Sequence, residues 1–184
     1  MHGSDKPSDW VRRWSPLIAP ASTVLDVACG AGRHLRWLHG QGHTVVGVDR
    51  SLEAIAANAP LGEMLCADIE NGPWPLTGRQ FGAVVVTNYL WRPLFPTLVA
   101  SLAPGGVLIY ETFAHGNETV GRPARPEFLL QPGELLAACS GLRTVAYEDG
   151  FLEEPARFVQ RITAARELAD GAAPSRHLLA SGAS

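Results

Sequence analysis

Three carboxylates and two glycines stand where they could bind a positively charged ligand. Asp26 lies near the end of an apolar, β-branched run, and Gly30 and Gly32 follow it in a short turn. Glycine lets a backbone turn sharply and approach a ligand, because no Cβ is in the way. Asp49 and Asp68 each follow a later apolar run. Carboxylates in this setting favour a cationic ligand and repel a pyrophosphate.

The spacing of the glycine turn separates two kinds of cofactor. A nicotinamide dinucleotide site requires G-x-G-x-x-G, whose third glycine allows a helix to pack closely on a strand. Here the third position is Leu35. S-adenosylmethionine carries an ammonium and a sulfonium, so the upstream acid Asp26 favours S-adenosylmethionine over a dinucleotide. An ordinary strand, turn and helix without a ligand is the alternative interpretation of this motif.

Alternating strands and helices are predicted to bring the acids to one edge of a sheet. The parallel strands are predicted at 24–27, 43–49, 64–67, 81–86 and 107–110, with helices at 33–38, 51–57, 94–102 and 133–138. Open α/β sheets bind ligands at the edge where the C-terminal ends of parallel strands meet. Two late strands at 142–147 and 158–164, joined by a turn at 150–155, predict an antiparallel hairpin.

Residues 21–164 resemble the class I S-adenosylmethionine-dependent methyltransferases. Asp26, Gly30 and Gly32 match motif I of that family, and the L-x-P-G-G-x-L phrase at 102–108 is also similar to it. The resemblance implies a Rossmann-like α/β fold with a seven-stranded, mostly parallel sheet, a C-terminal antiparallel hairpin and helices on both faces. The stretches DVACGAGRH and YETFAHGNETVGRP are most similar to small bacterial enzymes near the tellurite-resistance methyltransferase branch.

The resemblance implies S-adenosylmethionine as cofactor and S-adenosylhomocysteine as product. Asp49 is expected to accept the ribose hydroxyls, Asp68 the adenine amine, and Arg33 either pairs with the methionine carboxylate or stays solvated. The predicted cofactor-binding residues are Asp26, Ala28, Gly30, Gly32, Arg33, Asp49, Arg50, Asp68, Ile69, Thr87 and Asn88.

The long segment 114–131 is expected to bind the methyl acceptor, because loops of that length in a compact domain are often binding loops or lids. Methyl transfer needs a base only where the acceptor must lose a proton. The candidates for that base are His115, Glu111 and Tyr89. The predicted acceptor-binding residues are Trp10, Trp91, Arg122 and Arg125, and the two arginines would suit a carboxylate or phosphate.

Composition limits the class of protein. The chain has 184 residues, 46% of them hydrophobic and 18% charged, with a net charge of −3, which is typical of one globular domain. No basic stretch indicates nucleic acid as a partner, no apolar run is long enough for a membrane, and no signal peptide is expected, so a cytoplasmic protein is predicted. The three cysteines lack metal-ligand spacing, so no metal site is predicted, and small buried side chains are the expectation for them.

The domain organisation is predicted as an N-terminal helix or lid at 1–20, a cofactor-binding domain at 21–165 and a loose tail at 166–184. The predicted function is methyl transfer to a small-molecule acceptor by a monomer or homodimer. Two alternatives remain open: methylation of RNA or protein, and a regulatory protein that binds S-adenosylmethionine without turnover. The N-P-P-Y sequence of nucleobase amino-group methyltransferases is missing, and Asn88-Tyr89 match only part of it.

Overall fold

A central β-sheet organises the computed structural model, which describes residues 6–168 and 175–179. Its strands are β1 (Thr23–Val27), β2 (Thr44–Asp49), β3 (Glu63–Cys66), β4 (Phe81–Thr87), β5 (Leu102–Phe113), β6 (Arg143–Glu153) and β7 (Ala156–Ala165). They form one seven-stranded sheet in the order β3-β2-β1-β4-β5-β7-β6. The first five strands pair in parallel, and β7 pairs antiparallel with both β5 and β6. The predicted sheet and its C-terminal hairpin are therefore confirmed.

Helices cover both faces of this sheet. They are α1 (Asp9–Trp14), α2 (Arg33–Gly40), α3 (Leu52–Asn58), α4 (Phe95–Ala100) and α5 (Glu134–Ala138). Buried residues of α1, α2 and α3 form one apolar cluster, and buried residues of α4 and α5 contribute to another on the opposite face. Because the central strands are covered on both faces, the residues of β1 and β4 are almost all buried. No helix among the described residues is long and apolar enough to cross a bilayer.

The C-terminal hairpin is longer than predicted, and the expected turn at 150–155 is wrong. Gly150 pairs with Val159 and Phe151 with Phe158, so the strands continue to Glu153 and Ala156. The rings of Phe151 and Phe158 lie 5.0 Å apart between centroids and pack across the strands. Glycine weakens a strand without forbidding it, and here the cross-strand pairing outweighs the turn signal.

The start of α1 is capped, two of the three cysteines are buried, and part of the C-terminal tail is described. Ser8 caps α1, since its hydroxyl accepts from the Trp10 N–H at 3.1 Å. Cys29 and Cys139 are buried, but Cys66 is exposed because β3 is the outer strand of the sheet. Much of the predicted tail, at 169–174 and 180–184, lies outside the described residues. The division at 1–20 and 166–184 stays a prediction.

Two residues without glycine's freedom turn the chain sharply at the ends of the central strands. Ala28 follows β1 with φ +55°, and Asn88 follows β4 with φ +53°. Asparagine tolerates this left-handed conformation, whereas alanine is strained in it. Non-glycine residues in this region persist where the surrounding structure holds them, and they cluster at functional sites.

We predict that Ala28→Gly raises the free energy of unfolding by about 1 kcal/mol, because glycine removes the strain of the left-handed backbone. Urea unfolding followed by circular dichroism measures the change. Ala31 is the matched control, since it lies in the same turn but has no positive φ. Ala31→Gly should leave stability unchanged or lower it, and equal effects of the two substitutions would contradict strain at Ala28.

Candidate active site

A cavity of about 250 Å³ opens at the C-terminal edge of the parallel strands. We call it the first cavity, and it is lined by Ala28, Asp49, Arg50, Ala67, Asp68, Ile69, Glu70, Tyr89 and Phe128. The first cavity therefore brings together predicted cofactor residues from the ends of β1, β2 and β3. Ala67, Glu70 and Phe128 were not predicted, although Glu70 follows the predicted pair Asp68-Ile69 directly.

Asp49 ties the glycine turn to the start of α3. Its Oδ2 accepts from the Gly30 N–H at 2.8 Å, and its Oδ1 accepts from the Ser51 N–H at 2.8 Å. An ionised carboxylate has about four lone-pair positions, so each oxygen can accept one further hydrogen bond. A carboxylate held in this way beside a cavity suits the two hydroxyls of a ribose.

Asn58 also holds the glycine turn in place, and it was not among the predicted site residues. Its Nδ2 donates to the Gly30 carbonyl at 3.0 Å and to the Ala54 carbonyl at 2.9 Å, and the residue is 1% exposed. The Asn58 amide fills the space beside Gly32, where a Cβ would overlap Asn58 Oδ1. A polar residue on the buried side of α3, beside the apolar Ile55, was the available signal.

The Asp68 carboxylate is held by hydrogen bonds from residues that directly follow it in the same turn. Its carboxylate accepts from the Asn71 side-chain amide at 2.9 Å, the Asn71 N–H at 3.1 Å and the Glu70 N–H at 3.0 Å. These hydrogen bonds, led by the one from the Asn71 side chain, hold the pKa of Asp68 below its usual range. The contact of Asp68 with an adenine amine stays a prediction, with the Ile69 amide beside it in the same cavity wall.

Asp26 does not line the first cavity, contrary to the expectation of three carboxylates around one pocket. It is 1% exposed, behind the glycine turn, and its Oδ2 has no hydrogen-bond partner among the described residues. Burial raises the pKa of Asp26 to about 8, the Arg33 charge opposes the rise, and the Asp49 charge adds to it. An unpartnered buried acid fits a cofactor that carries an ammonium group.

Arg33 begins α2 beside this acid. The residue is half-buried, its Nη1 donates to the Lys6 carbonyl at 3.4 Å, and burial lowers its pKa. Of the two predicted alternatives, the partial burial favours a site residue over a freely solvated one. Its pairing with a methionine carboxylate stays a prediction.

A second cavity of about 290 Å³ adjoins the first. It is lined by Glu70, Asn88, Tyr89, Leu90, Thr112, Phe113, Pro123 and Phe128. Glu70, Tyr89 and Phe128 line both cavities and form a shared wall. Asn88, predicted to bind the cofactor, lines this second cavity and not the first. Thr87 lines neither cavity, and its Oγ1 lies 3.4 Å from His34 Nδ1.

Glu111, predicted as a possible base, is committed to a buried polar cluster. It is 1% exposed, accepts from the Ser8 hydroxyl at 3.0 Å and pairs with Arg161 at 3.2 Å and Arg157 at 3.9 Å. His34 belongs to the same cluster, where its Nε2 accepts from the Ser8 N–H at 3.1 Å. Burial lowers the pKa of His34 to about 3, so the ring is neutral. These contacts favour a structural role for Glu111 over proton transfer.

The structure does not bring His115 to either cavity. Its side chain is 63% exposed and its Nδ1 lies 3.6 Å from the Glu118 carboxylate. The predicted loop instead supplies Pro123 and Phe128 to the second cavity. The periodicity of the loop gives no indication of which side chains turn inward, so the histidine was preferred for its chemistry alone. Tyr89, in the shared wall, is the predicted base candidate that the fold does place at the site.

The residues predicted to bind an acceptor lie outside the cavity linings. Arg125 pairs with Glu127 and lies 5.3 Å over the Phe128 ring, and Arg122 is exposed. Trp91 packs against the apolar core.

Trp10 is wrong as a substrate contact because it is 1% exposed. Its indole Nε1 donates to the Ile162 carbonyl at 3.3 Å, and the Arg161 guanidinium lies 4.9 Å from its ring centroid. It anchors α1 on the sheet.

Within residues 6–168 and 175–179, no group of three or more His, Cys, Asp or Glu side chains could hold a metal ion.

The sheet order and the cavity at its C-terminal edge define a Rossmann-like fold. Residues 24–106 match the family described as "Methyltransferase domain". Among solved structures, TehB from Haemophilus influenzae superposes with a TM-score of 0.70 at 20% identity, covering 91% of this chain and 63% of its own. A TehB-like methyltransferase from Corynebacterium glutamicum has a TM-score of 0.64 at 18% identity, with 86% and 87% covered. The predicted likeness to that branch is confirmed for the fold.

Two curated relatives are also group-transfer enzymes, a carboxymethyltransferase and a methyltransferase. A tRNA U34 carboxymethyltransferase from Pseudoalteromonas translucida is 30% identical, over 64% of this chain and 42% of the relative. A thiopurine S-methyltransferase from Pseudomonas syringae pv. syringae is 40% identical, over 30% of this chain and 26% of the relative. The chain therefore spans less than half the length of these relatives. The chain is therefore similar to a methyltransferase domain over residues 24–106 and shares the Rossmann-like fold of solved methyltransferases.

The buried state of Asp26 predicts how stability varies with pH. Because its pKa is raised to about 8 in the folded protein, its contribution is present below its ordinary pKa and is lost as pH rises through about 8. We expect Asp26→Asn to be more stable than the native protein at about pH 9, by at least about 1 kcal/mol, and to show a smaller advantage at about pH 6. Urea unfolding at the two pH values measures this. An unchanged difference would contradict the raised pKa.

The contact between Asn58 and the glycine turn predicts unequal effects of two alanine substitutions. Gly32 and Gly42 both have positive φ, +75° and +86°, but a Cβ on Gly42 would meet nothing within 4 Å. Both variants should lose about 1 kcal/mol of stability from backbone strain. Only Gly32→Ala should also weaken binding of S-adenosylhomocysteine, by at least about tenfold, because it displaces Asn58. Calorimetric titration of both variants provides the comparison, and equal affinities would contradict the role of Asn58.

Proposed function

We propose that this protein transfers the methyl group of S-adenosylmethionine to a small-molecule acceptor. The observation that carries the proposal is the shared wall of Glu70, Tyr89 and Phe128 between two adjoining cavities. Bound S-adenosylmethionine supplies an electrophilic methyl group on a sulfonium. Two molecules in adjoining cavities can reach the near-attack separation, and such positioning can account for much of the acceleration of a displacement.

The first cavity suits the nucleoside of the cofactor. Asp49 retains acceptor positions for ribose hydroxyls, and Asp68 and Ile69 stand at the next strand end for the adenine ring. The methionine end would extend toward the glycine turn, where Asp26 is unpartnered and Arg33 is half-buried. The Arg33 guanidinium matches the carboxylate of an amino acid, and an ammonium placed beside Asp26 would favour the ionised form of that acid.

The Tyr89 hydroxyl in the shared wall is a weak candidate for a general base. Burial and then the Glu70 carboxylate raise the pKa of Tyr89 above its usual range, so the hydroxyl stays protonated. A protonated Tyr89 can orient an acceptor by hydrogen bonding but is a poor general base. The geometry therefore supports positioning as the main contribution of the chain, with Glu70 as the carboxylate nearest to the point of transfer.

The curated relatives named for their substrates act on both small and large molecules, a thiopurine in one case and tRNA in another. The size and walls of the second cavity favour a small molecule. Its described lining has no Lys or Arg, whereas RNA binding depends strongly on basic contacts to phosphate. Methylation of RNA remains the second candidate because of the tRNA-directed relative.

The role of Asp49 is tested by calorimetric titration with S-adenosylhomocysteine. Asp49→Asn keeps the size of the side chain but removes its charge and one acceptor oxygen, so we expect affinity to fall at least about tenfold. Glu53→Gln is the control, since Glu53 is exposed on α3 and lines neither cavity. Equal affinities of native protein and Asp49→Asn would contradict the ribose contact.

The reaction itself is tested with S-adenosylmethionine labelled in its methyl group. We expect label in small molecules when the protein is incubated with a metabolite extract, detected by mass spectrometry, and none in total tRNA. Label in tRNA alone would favour the second candidate. Binding of S-adenosylmethionine without any acceptor-dependent release of S-adenosylhomocysteine would indicate the regulatory alternative.

A further inference from the structure

The walls of the second cavity are largely apolar and aromatic. Tyr89, Phe113 and Phe128 contribute rings, and Leu90 and Pro123 complete the apolar surface. Aromatic side chains favour a flat guest that can stack or pack edge to face. Their faces also attract cations, and the Arg125 guanidinium already lies 5.3 Å from the Phe128 centroid.

A single carboxylate sets the charge of this cavity. Among its described lining residues Glu70 is the only Asp or Glu, and there is no Lys, Arg or His. Arg122 and Arg125, which the sequence suggested for an anionic acceptor, flank the lining residues Pro123 and Phe128 without joining them. An anion entering this cavity would lose its hydration without gaining a cationic partner, which is costly.

The Tyr89 hydroxyl supplies a second polar feature. It is buried beside the Glu70 carboxylate, which raises the pKa of Tyr89. A guest that hydrogen-bonds to both groups would gain affinity, because buried polar groups are stabilised by completing their hydrogen bonds. Glu70 and Tyr89 both belong to the shared wall, so a group bound by them lies beside the point of transfer.

We propose that the second cavity binds a ring-containing, largely apolar acceptor whose nucleophilic group is a hydrogen-bond donor held by Glu70 and Tyr89, and that it rejects carboxylates and other anions. An amine that binds as its ammonium first gives a proton to the Glu70 carboxylate, so that the nitrogen lone pair attacks the methyl carbon while the bond from that carbon to sulfur breaks. This inference rests on the proposed function, because it treats the second cavity as the acceptor site. It replaces the carboxylate or phosphate acceptor that the loop arginines suggested.

The test uses three probes with the same bicyclic ring: 1-naphthylmethylamine, 1-naphthalenemethanol and 1-naphthoate. Each is titrated by calorimetry into the native protein, with and without saturating S-adenosylhomocysteine. We expect the amine to bind at least about tenfold more tightly than 1-naphthoate, with the alcohol between them. Equal or tighter binding of 1-naphthoate, or no binding of any probe, would overturn the proposal.

Two variants assign the preference to the shared wall. Glu70→Gln should reduce the ratio of amine to 1-naphthoate affinity at least about fivefold, because it removes the only negative charge of the lining. Tyr89→Phe should weaken the alcohol while changing that ratio little. Glu53→Gln removes an exposed carboxylate that lines neither cavity and should behave as the native protein. An unchanged ratio in Glu70→Gln would overturn the assignment.

Titration with S-adenosylhomocysteine distinguishes failure of the proposed function from failure of the proposed acceptor class. If S-adenosylhomocysteine does not bind, the proposed function fails, whereas the probe series without cofactor still shows whether the second cavity selects by charge. If S-adenosylhomocysteine binds and the probes show no preference for the amine, only the acceptor class fails.

Discussion

The carboxylate of Asp49 joins the glycine turn after β1 to the start of α3. It accepts the Gly30 N–H from the turn after β1 and the Ser51 N–H at the start of α3. Charge-assisted hydrogen bonds are stronger than those between neutral groups, and here they fix the glycine turn relative to the next strand end. Asn58 completes the arrangement by donating from the other end of α3 to the Gly30 carbonyl. The shape of the first cavity depends on this short loop of contacts.

The two halves of the sheet supply the linings of two different cavities. Strands β1, β2 and β3 end in the side chains that suit a nucleoside, and the ends of β4 and β5 with the loop at 114–131 supply the second cavity. The chain reverses its winding direction between β1 and β4, which is where open α/β sheets bind ligands. Ala28 and Asn88, both in left-handed backbone, turn the two central strands away from this crevice. The strained left-handed backbone at Ala28 is consistent with a turn shaped for binding rather than for stability alone.

Sequence alone was sufficient for the sheet and for much of the nucleoside pocket, because both depend on local patterns. Apolar runs show where buried strands lie, and Asp49 and Asp68 follow them directly, so the topology determines their position. Asp26 was misplaced because one residue along a strand reverses the face to which a side chain points. Asn58 and Glu70 were missed since the glycine turn that Asn58 contacts, and the residues with which Glu70 lines the cavities, come from other segments. His115, Arg122 and Arg125 were chosen for their chemistry, and no periodicity in a loop indicates which side chains face inward.

The central claim is that a nucleoside lies in the first cavity with its sulfur directed at the wall shared by Glu70, Tyr89 and Phe128. A crystal structure of the protein with S-adenosylhomocysteine tests this most directly. The account predicts ribose hydroxyls on Asp49, the adenine beside Asp68 and Ile69, and the sulfur facing the second cavity. A nucleoside bound elsewhere, or one whose sulfur points away from that wall, would contradict it.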